Sequence, residues 1–534
     1  MPHDSVPAMW TWLGRLSPRI VLFATWLIGL TYAFPGYMNH DAADQLIQLR
    51  HGDITDFHPP IIIVYWRLLD AIWAGPFGML LLQSLLFLWG VHALLRLRFA
   101  ERPAAWITAA IVLFPPVLTP MAVIWKDAQM AAFLVAGTAL ALRPARRARI
   151  VGTALLVLAA GVRYNGGAAL PTLVFLAVSA WTSRRFAVRL AIVAALLAAT
   201  FVATSRTNYA LADRHVHAWY RTAAMFDVIG TICHAPPLDD AEIATLLDGV
   251  TLREHEHLQA RFCQVFPPGD RNWFAYAELY TWVPDKDERA ARLRAWWRVV
   301  SRFPGAYAWA RLRLAADHLG LLTDKVPLWE PVGQDFAPTE AQRQTLQLEI
   351  TPSSLQRSLG DSFRWLAQHT PLYHAWIYVL LAIALVVWAV RRRDALIGCL
   401  VGSGLLYQSS IFLLTCAVDF RFAHWMITCT CLGTALAIGA ARARRAAGSR
   451  SAREPDAANG AAAPLGPRSE AVLHTASELV TFRASPRLRC FGAPGRSPTL
   501  RLRSVRPSQQ YRRKGDRADQ ARALALAYFC VVGS

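Results

Sequence analysis

Between residues 20 and 204, and again between 372 and 440, long apolar runs alternate with short polar turns. A helix rises about 1.5 Å per residue, so roughly 20 apolar residues cross about 30 Å of hydrocarbon. Runs at 20–34, 76–97, 104–123, 128–142, 151–162, 167–181, 186–204, 372–390, 395–416 and 423–440 reach or approach that length. The two shortest, 128–142 and 151–162, must borrow flanking residues. The pattern predicts an all-α polytopic membrane protein with about ten transmembrane helices. The stretch 61–73 is apolar but too short to span easily. It follows Pro59 and Pro60, where missing amide donors cost nothing at a helix start, and it reads as a juxtamembrane or re-entrant helix.

Composition agrees with a membrane protein. At 54% hydrophobic and 17% charged, a chain of 534 residues has too little polar surface for a soluble globule. The net charge of +20 would suit nucleic acid, but its placement argues otherwise. Basic clusters at Arg96/Arg98/Arg102, Arg143/Arg146/Arg147/Arg149, Arg184/Arg185/Arg189, Arg391/Arg392/Arg393 and Arg442/Arg444/Arg445 recur at every second loop. That is the positive-inside pattern. It places both termini in the cytoplasm. The first run follows Arg15 and Arg19 and meets no small-residue cleavage site, so it is expected to remain as the first helix.

This topology divides the chain. Residues 1–19 form a cytoplasmic N-terminus, and 20–204 a transmembrane core whose first outer loop is 37–75. Residues 205–370 form a periplasmic domain between helices 7 and 8, with helix-favouring stretches at 240–259 and 285–300. Its aromatic pairs, Trp219-Tyr220 and Trp296-Trp297, suit either a core or an interface. Residues 371–441 return to the membrane, and 442–534 form a basic tail. From about Gly448 the tail's composition reads as disordered, and would equally suit translation in a shifted frame. The eight cysteines include no CxxC pair. Cys233 and Cys263 share the outer segment and form either a disulfide or two buried thiols.

Candidate chemistry gathers on the outer side, where ionisable groups beside hydrocarbon are expensive and usually face a working cavity. Asp41 follows the first helix and suits a general base, or a helix cap. His58 precedes the two prolines that aim it. Lys126 and Asp127 sit beside Trp125, as site residues or as snorkelling anchors. Arg163, with Asn165 close by, can meet a phosphate. Asp419 and Arg421 close the set. Such an inventory suits holding a lipid-linked phosphate while a carboxylate activates an acceptor.

These residues resemble the GT-C superfamily of integral-membrane glycosyltransferases, especially the protein O-mannosyltransferase and lipid A aminoarabinose transferase group. The resemblance lies in an acidic motif after the first helix, a His/Lys-Pro-Pro motif opening the next helical segment, and an Asp in a later outer loop. Asp41, His58-Pro59-Pro60 and Asp127 occupy these places. The resemblance implies a polyprenyl-phosphate sugar donor, transfer on the periplasmic side, and a catalytic Asp in the first outer loop. One departure matters: the group often pairs Asp with Glu, whereas Ala42 follows Asp41 here. Asp44, one helical turn on, is the nearest second acid. Which of the two is the base therefore stays open, as does any divalent metal.

The expected roles are Asp41 as base with Asp44 as its fallback, and Lys126 and Arg163 as holders of the donor phosphate. Asp127 and His58 orient donor or acceptor, and Arg421 adds a second phosphate contact. A phosphate leaving group stabilised by these cations requires no metal. The expected partners are the lipid-linked donor, a glycan, lipid or protein acceptor, and membrane lipids, with no nucleic acid. The competing readings are a transporter or lipid flippase and a non-catalytic envelope-assembly subunit. Transporters place substrate near the bilayer midplane, whereas these charges lie at helix ends.

Overall fold

The computed structural model describes residues 16–216, 224–253, 255–266, 279–280, 286–322, 340–346, 351–414 and 418–451. The proposed tail beyond 451 and the Trp219-Tyr220 pair lie outside the described residues. Among the described residues every regular element is a helix.

The first half runs α1 (Pro18–Ala33), α2 (His40–His51), α3 (Ile61–Ile72), α4 (Phe77–Leu95), α5 (Glu101–Val112), α6 (Pro115–Met121), α7 (Lys126–Ala141) and α8 (Arg146–Gly161). A 3-10 turn at Gly166–Ala169 leads into α9 (Leu170–Trp181), and then α10 (Phe186–Leu211). The chain returns through α18 (Ala375–Arg392), α19 (Ala395–Leu414) and α20 (His424–Ser451). Five segments are long and apolar enough to cross a membrane: Phe77–Leu95, Phe186–Leu211, Ala375–Arg392, Ala395–Leu414 and Phe420–Arg445. The protein is a multi-pass membrane protein.

Several expected spans form helices shorter than a full membrane crossing, and one is broken. The run 104–123 becomes α5 and α6, which meet at 71°. Pro115 and Pro116 cause the break. They lack amide donors, and the residue before a proline is pushed out of the α region. Phe114 accordingly has φ −62° and ψ 121°. The runs 20–34, 128–142 and 151–162 become helices of 16 residues each, and α9 has 12. Helix ends here are set by caps and prolines as well as by hydropathy.

Helix α7 lies at the centre. Every residue from Asp127 to Ala139 is buried, and the helix packs against α4 and α8. Its alanines and glycines allow that approach. A Cβ on Gly152 of α8 would lie 2.5 Å from the Ala141 amide nitrogen, so only glycine fits. The N-terminus of this enclosed helix carries Lys126 and Asp127.

A second core is built by α11 (Ala224–His234), α12 (Asp240–Leu246), α13 (Leu258–Val265), α14 (Lys286–Arg302) and α15 (Pro304–Leu319). Ile229, Phe262, Val299 and Leu314 fill it. The expected helix across 240–259 is interrupted. Gly249 adopts φ +80°, and Asp240 turns back to accept the His257 and Leu258 amides. Cys233 and Cys263 join α11 to α13, with Cα atoms 4.9 Å apart. After α16 (Glu340–Leu346), α17 (Ser354–His369) starts with a capping box between Ser353 and Gln356.

Candidate active site

The site begins with a backbone pairing that sequence does not announce. Tyr37 donates its amide to the Ala122 carbonyl at 3.2 Å, and its carbonyl accepts the Ile124 amide at 2.8 Å. This ties the segment after α1 to the segment before α7. The start of α2 therefore lies beside the start of α7. Asn39 caps α2 by accepting the Ala42 amide at 3.0 Å. Asp41 is thus in a helical turn, not in the open loop that its position suggests.

Asp41 faces three nitrogen-bearing side chains from separate parts of the chain. Its Oδ2 is 3.4 Å from Arg421 Nη2 and 3.6 Å from Lys126 Nζ, and its Oδ1 is 3.8 Å from His58 Nε2. These separations exceed the roughly 2.7–2.9 Å of a tight charge-assisted hydrogen bond. About a fifth of the Asp41 side chain remains exposed (19%). Lys126 Nζ lies 2.7 Å from His58 Nδ1. An ammonium can only donate, so His58 Nδ1 accepts and the ring is neutral. Burial and the neighbouring Lys126 pull the His58 pKa down to about 3. Burial alone would raise the Asp41 pKa, but Lys126, His58 and Arg421 hold it below the usual carboxylate range.

Beside this lies a closed cluster. Asp127 Oδ2 meets Arg163 Nη1 at 2.5 Å, and its Oδ1 accepts the Tyr407 hydroxyl at 3.2 Å. Arg163 Nε donates to Asn165 Oδ1 at 2.8 Å, and Asn165 Nδ2 donates to Ser410 Oγ at 3.1 Å. The Arg163 guanidinium also lies 4.8 Å from the Phe422 ring centre. Asp419, buried at the start of a 3-10 turn, holds Arg421 Nε at 2.7 Å. Arg421 rests on the Trp125 ring at 4.8 Å.

Asp44 accepts from Gln48 at 2.7 Å, and Gln48 in turn accepts the Thr55 amide at 2.9 Å. Two acids of the same loop stitch it to the segment after α10. Asp53 pairs with Arg214, while Asp56 accepts the Val216 amide at 2.6 Å. Tyr407 and Ser410 were missed by sequence reasoning. The signal was present, since Tyr407, Gln408, Ser409 and Ser410 interrupt an apolar run where polar groups are expensive.

Among the described residues, no group of three or more His, Cys, Asp or Glu converges as a metal site. A groove of about 780 Å³ runs along α17, lined by residues including Ser354, Arg357, Asp361 and Trp365, and includes none of this cluster.

Among solved structures the chain is similar to the archaeal oligosaccharyltransferase AglB of Archaeoglobus fulgidus, in complex with an inhibitory peptide and a dolichol-phosphate. The identity is 14% and the TM-score 0.36, over 85% of this chain and 53% of that one. The chain therefore spans about half the length of that oligosaccharyltransferase. It is also similar to ArnT of Cupriavidus metallidurans bound to undecaprenyl phosphate, at 15% identity and TM-score 0.31, over 84% of this chain and 80% of that one. Likenesses of this size assign no residue a role. No protein-family model and no curated protein sequence matches the chain.

Proposed function

We propose that the protein is a membrane glycosyltransferase that moves a sugar from a polyprenyl-phosphate carrier to an acceptor at the outer, periplasmic face of a bacterial inner membrane. One observation carries this reading: Asp41, Lys126, His58 and Arg421 converge from distant parts of the chain with gaps of 3.4–3.8 Å around the carboxylate. A carboxylate for a proton and two cations for a phosphate are what the reaction asks for. The charges sit at helix ends, with Lys126 opening α7 and Arg421 just before α20. That placement favours an enzyme over a transporter with a midplane site.

In this scheme an acceptor hydroxyl or amine attacks the anomeric carbon of the donor sugar. The bond from that carbon to the phosphate oxygen breaks, and its electron pair leaves with the phosphate. Lys126 and Arg421 stabilise the charge that develops there, and the acceptor proton passes to Asp41. His58, neutral, steers the Lys126 ammonium through Nδ1. Asp41 is a weak base while both cations face it. A bound donor phosphate divides their attraction, and the basicity of Asp41 rises as the acceptor arrives. Arg163, already closed on Asp127, serves here as a brace for α7 rather than as the first phosphate ligand. Asp44, hydrogen-bonded to Gln48, stands as the fallback base.

The test compares lipid-linked and cell-surface glycans with and without the protein. A missing surface modification alongside accumulated polyprenyl-phosphate sugar is expected. Unchanged glycans together with altered movement of a lipid or solute would instead support the transporter reading.

A further inference from the structure

His318 closes the last full turn of α15, in the second core rather than in the helices that carry the cluster. It is 5% exposed. Among the described residues neither Nδ1 nor Nε2 has a hydrogen-bond partner. Two unpaired polar atoms on one buried ring are costly. Native structures keep such groups chiefly where something else supplies the partner.

Its surroundings indicate what that is. The imidazole lies 6.0 Å from the Phe422 ring and 6.3 Å from the Phe412 ring, centre to centre. Phe422 follows Arg421 in sequence, and its ring is 5.2 Å from the Arg421 guanidinium. Phe422 therefore touches both His318 and Arg421, and Arg163 lies over the same ring at 4.8 Å. Burial, followed by Arg163, pulls the His318 pKa to about 4, so the ring is neutral near pH 7, with one donor and one acceptor nitrogen. A neutral donor–acceptor beside two aromatic rings suits a sugar, whose hydroxyls both give and take hydrogen bonds and whose C–H faces pack on rings.

We infer that His318, Phe412 and Phe422 form the subsite for the donor's sugar, with the imidazole hydrogen-bonded to a ring hydroxyl. This rests on the proposed transferase reading, in which Arg421, 5.2 Å from the Phe422 ring, helps hold the donor phosphate. The second core then helps to select the donor.

The test uses the full chain in lipid nanodiscs. The probes are undecaprenyl phosphate and its esters of glucose, galactose, mannose and N-acetylglucosamine. Wild type is expected to bind one ester about tenfold more tightly than the bare carrier. His318→Ala should lose most of that preference while binding bare carrier within about twofold of wild type. His318→Gln, which still donates and accepts, should keep part of it. Phe412→Leu gives an independent reading should His318→Ala fold poorly, and it too should reduce the preference. If wild type binds every ester no better than the bare carrier, the subsite is refuted. Equal weakening of carrier and ester by His318→Ala has the same consequence. Failure of wild type to bind undecaprenyl phosphate at all would instead bring down the transferase reading on which the subsite depends.

Discussion

Lys126 and Asp127 are neighbours at the head of one helix, yet they belong to two different kinds of cluster. On the Asp127 side the carboxylate, the Arg163 guanidinium, the Tyr407 hydroxyl and the Asn165 amide close on one another at 2.5–3.2 Å. On the Lys126 side the Asp41 carboxylate stands 3.4–3.8 Å from each positive or imidazole nitrogen facing it. The first arrangement satisfies itself, and removing either charge would strand the other. In the second the carboxylate stands off from cations that other groups hold in place, Lys126 by His58 and Arg421 by Asp419. In the proposed transferase the closed cluster would fix the geometry and the Asp41 cluster would do the chemistry.

The comparison can be broken most sharply on the closed side. Asp127→Ala leaves Arg163 buried without its carboxylate, and the expected loss is about 3–5 kcal/mol of stability. Thermal melting in detergent reads this directly. A variant as stable as wild type would show that the closed cluster is no brace.

Next comes Asp41→Asn, which keeps size and polarity but cannot take the acceptor proton. Transfer in membranes should fall about 10²-fold or more, at equal protein level and with little change in melting. The two substitutions should thus separate, one showing itself in stability and the other in rate. Full transfer by both Asp41→Asn and Asp44→Asn would remove the proposed base altogether.

His58 sharpens the comparison through pH. Its pKa is depressed to about 3 in the fold, against about 6.5 in an unfolded chain. Between those values the unfolded state holds a proton that the folded state does not. Stability is therefore complete above about pH 6.5 and is lost as pH falls toward 3. The contribution from this ring is about 1–2 kcal/mol by pH 5. His58→Gln should flatten that part of the stability–pH curve, and an unchanged slope would place the ring in ordinary solvent.

The smallest effect is expected for Asp44→Asn. Asp44 accepts a hydrogen bond from Gln48, and transfer should stay within about threefold of wild type, under about 1 kcal/mol. A loss as large as that of Asp41→Asn would exchange their roles.

The helical, membrane-spanning class was legible because hydrocarbon imposes a length and a composition that few other environments require. The number of long spans was less so. Pro115 and Pro116 split one apolar run into two helices that meet at 71°. A hydropathy window averages over such local stops. The ionisable residues were legible for the related reason that charges are rare in such a chain. Their partners were not, because Asp53 and Asp56 look like Asp41 in sequence but stitch one loop to another.

The sequence by itself determined a helical membrane protein and marked Asp41, His58, Lys126, Asp127, Arg163 and Arg421 as residues that need a reason to exist there. Only the tertiary structure decided which of them meet. The Tyr37 backbone pairing carries Asp41 to Lys126 across the residues that separate them, and Asp419 holds Arg421 beside Asp41. The enclosed α7 points Lys126 one way and Asp127 the other. Hydropathy acts residue by residue and survives in a one-dimensional pattern. An ion pair depends on a distance in space, and that distance exists only once the backbone has closed.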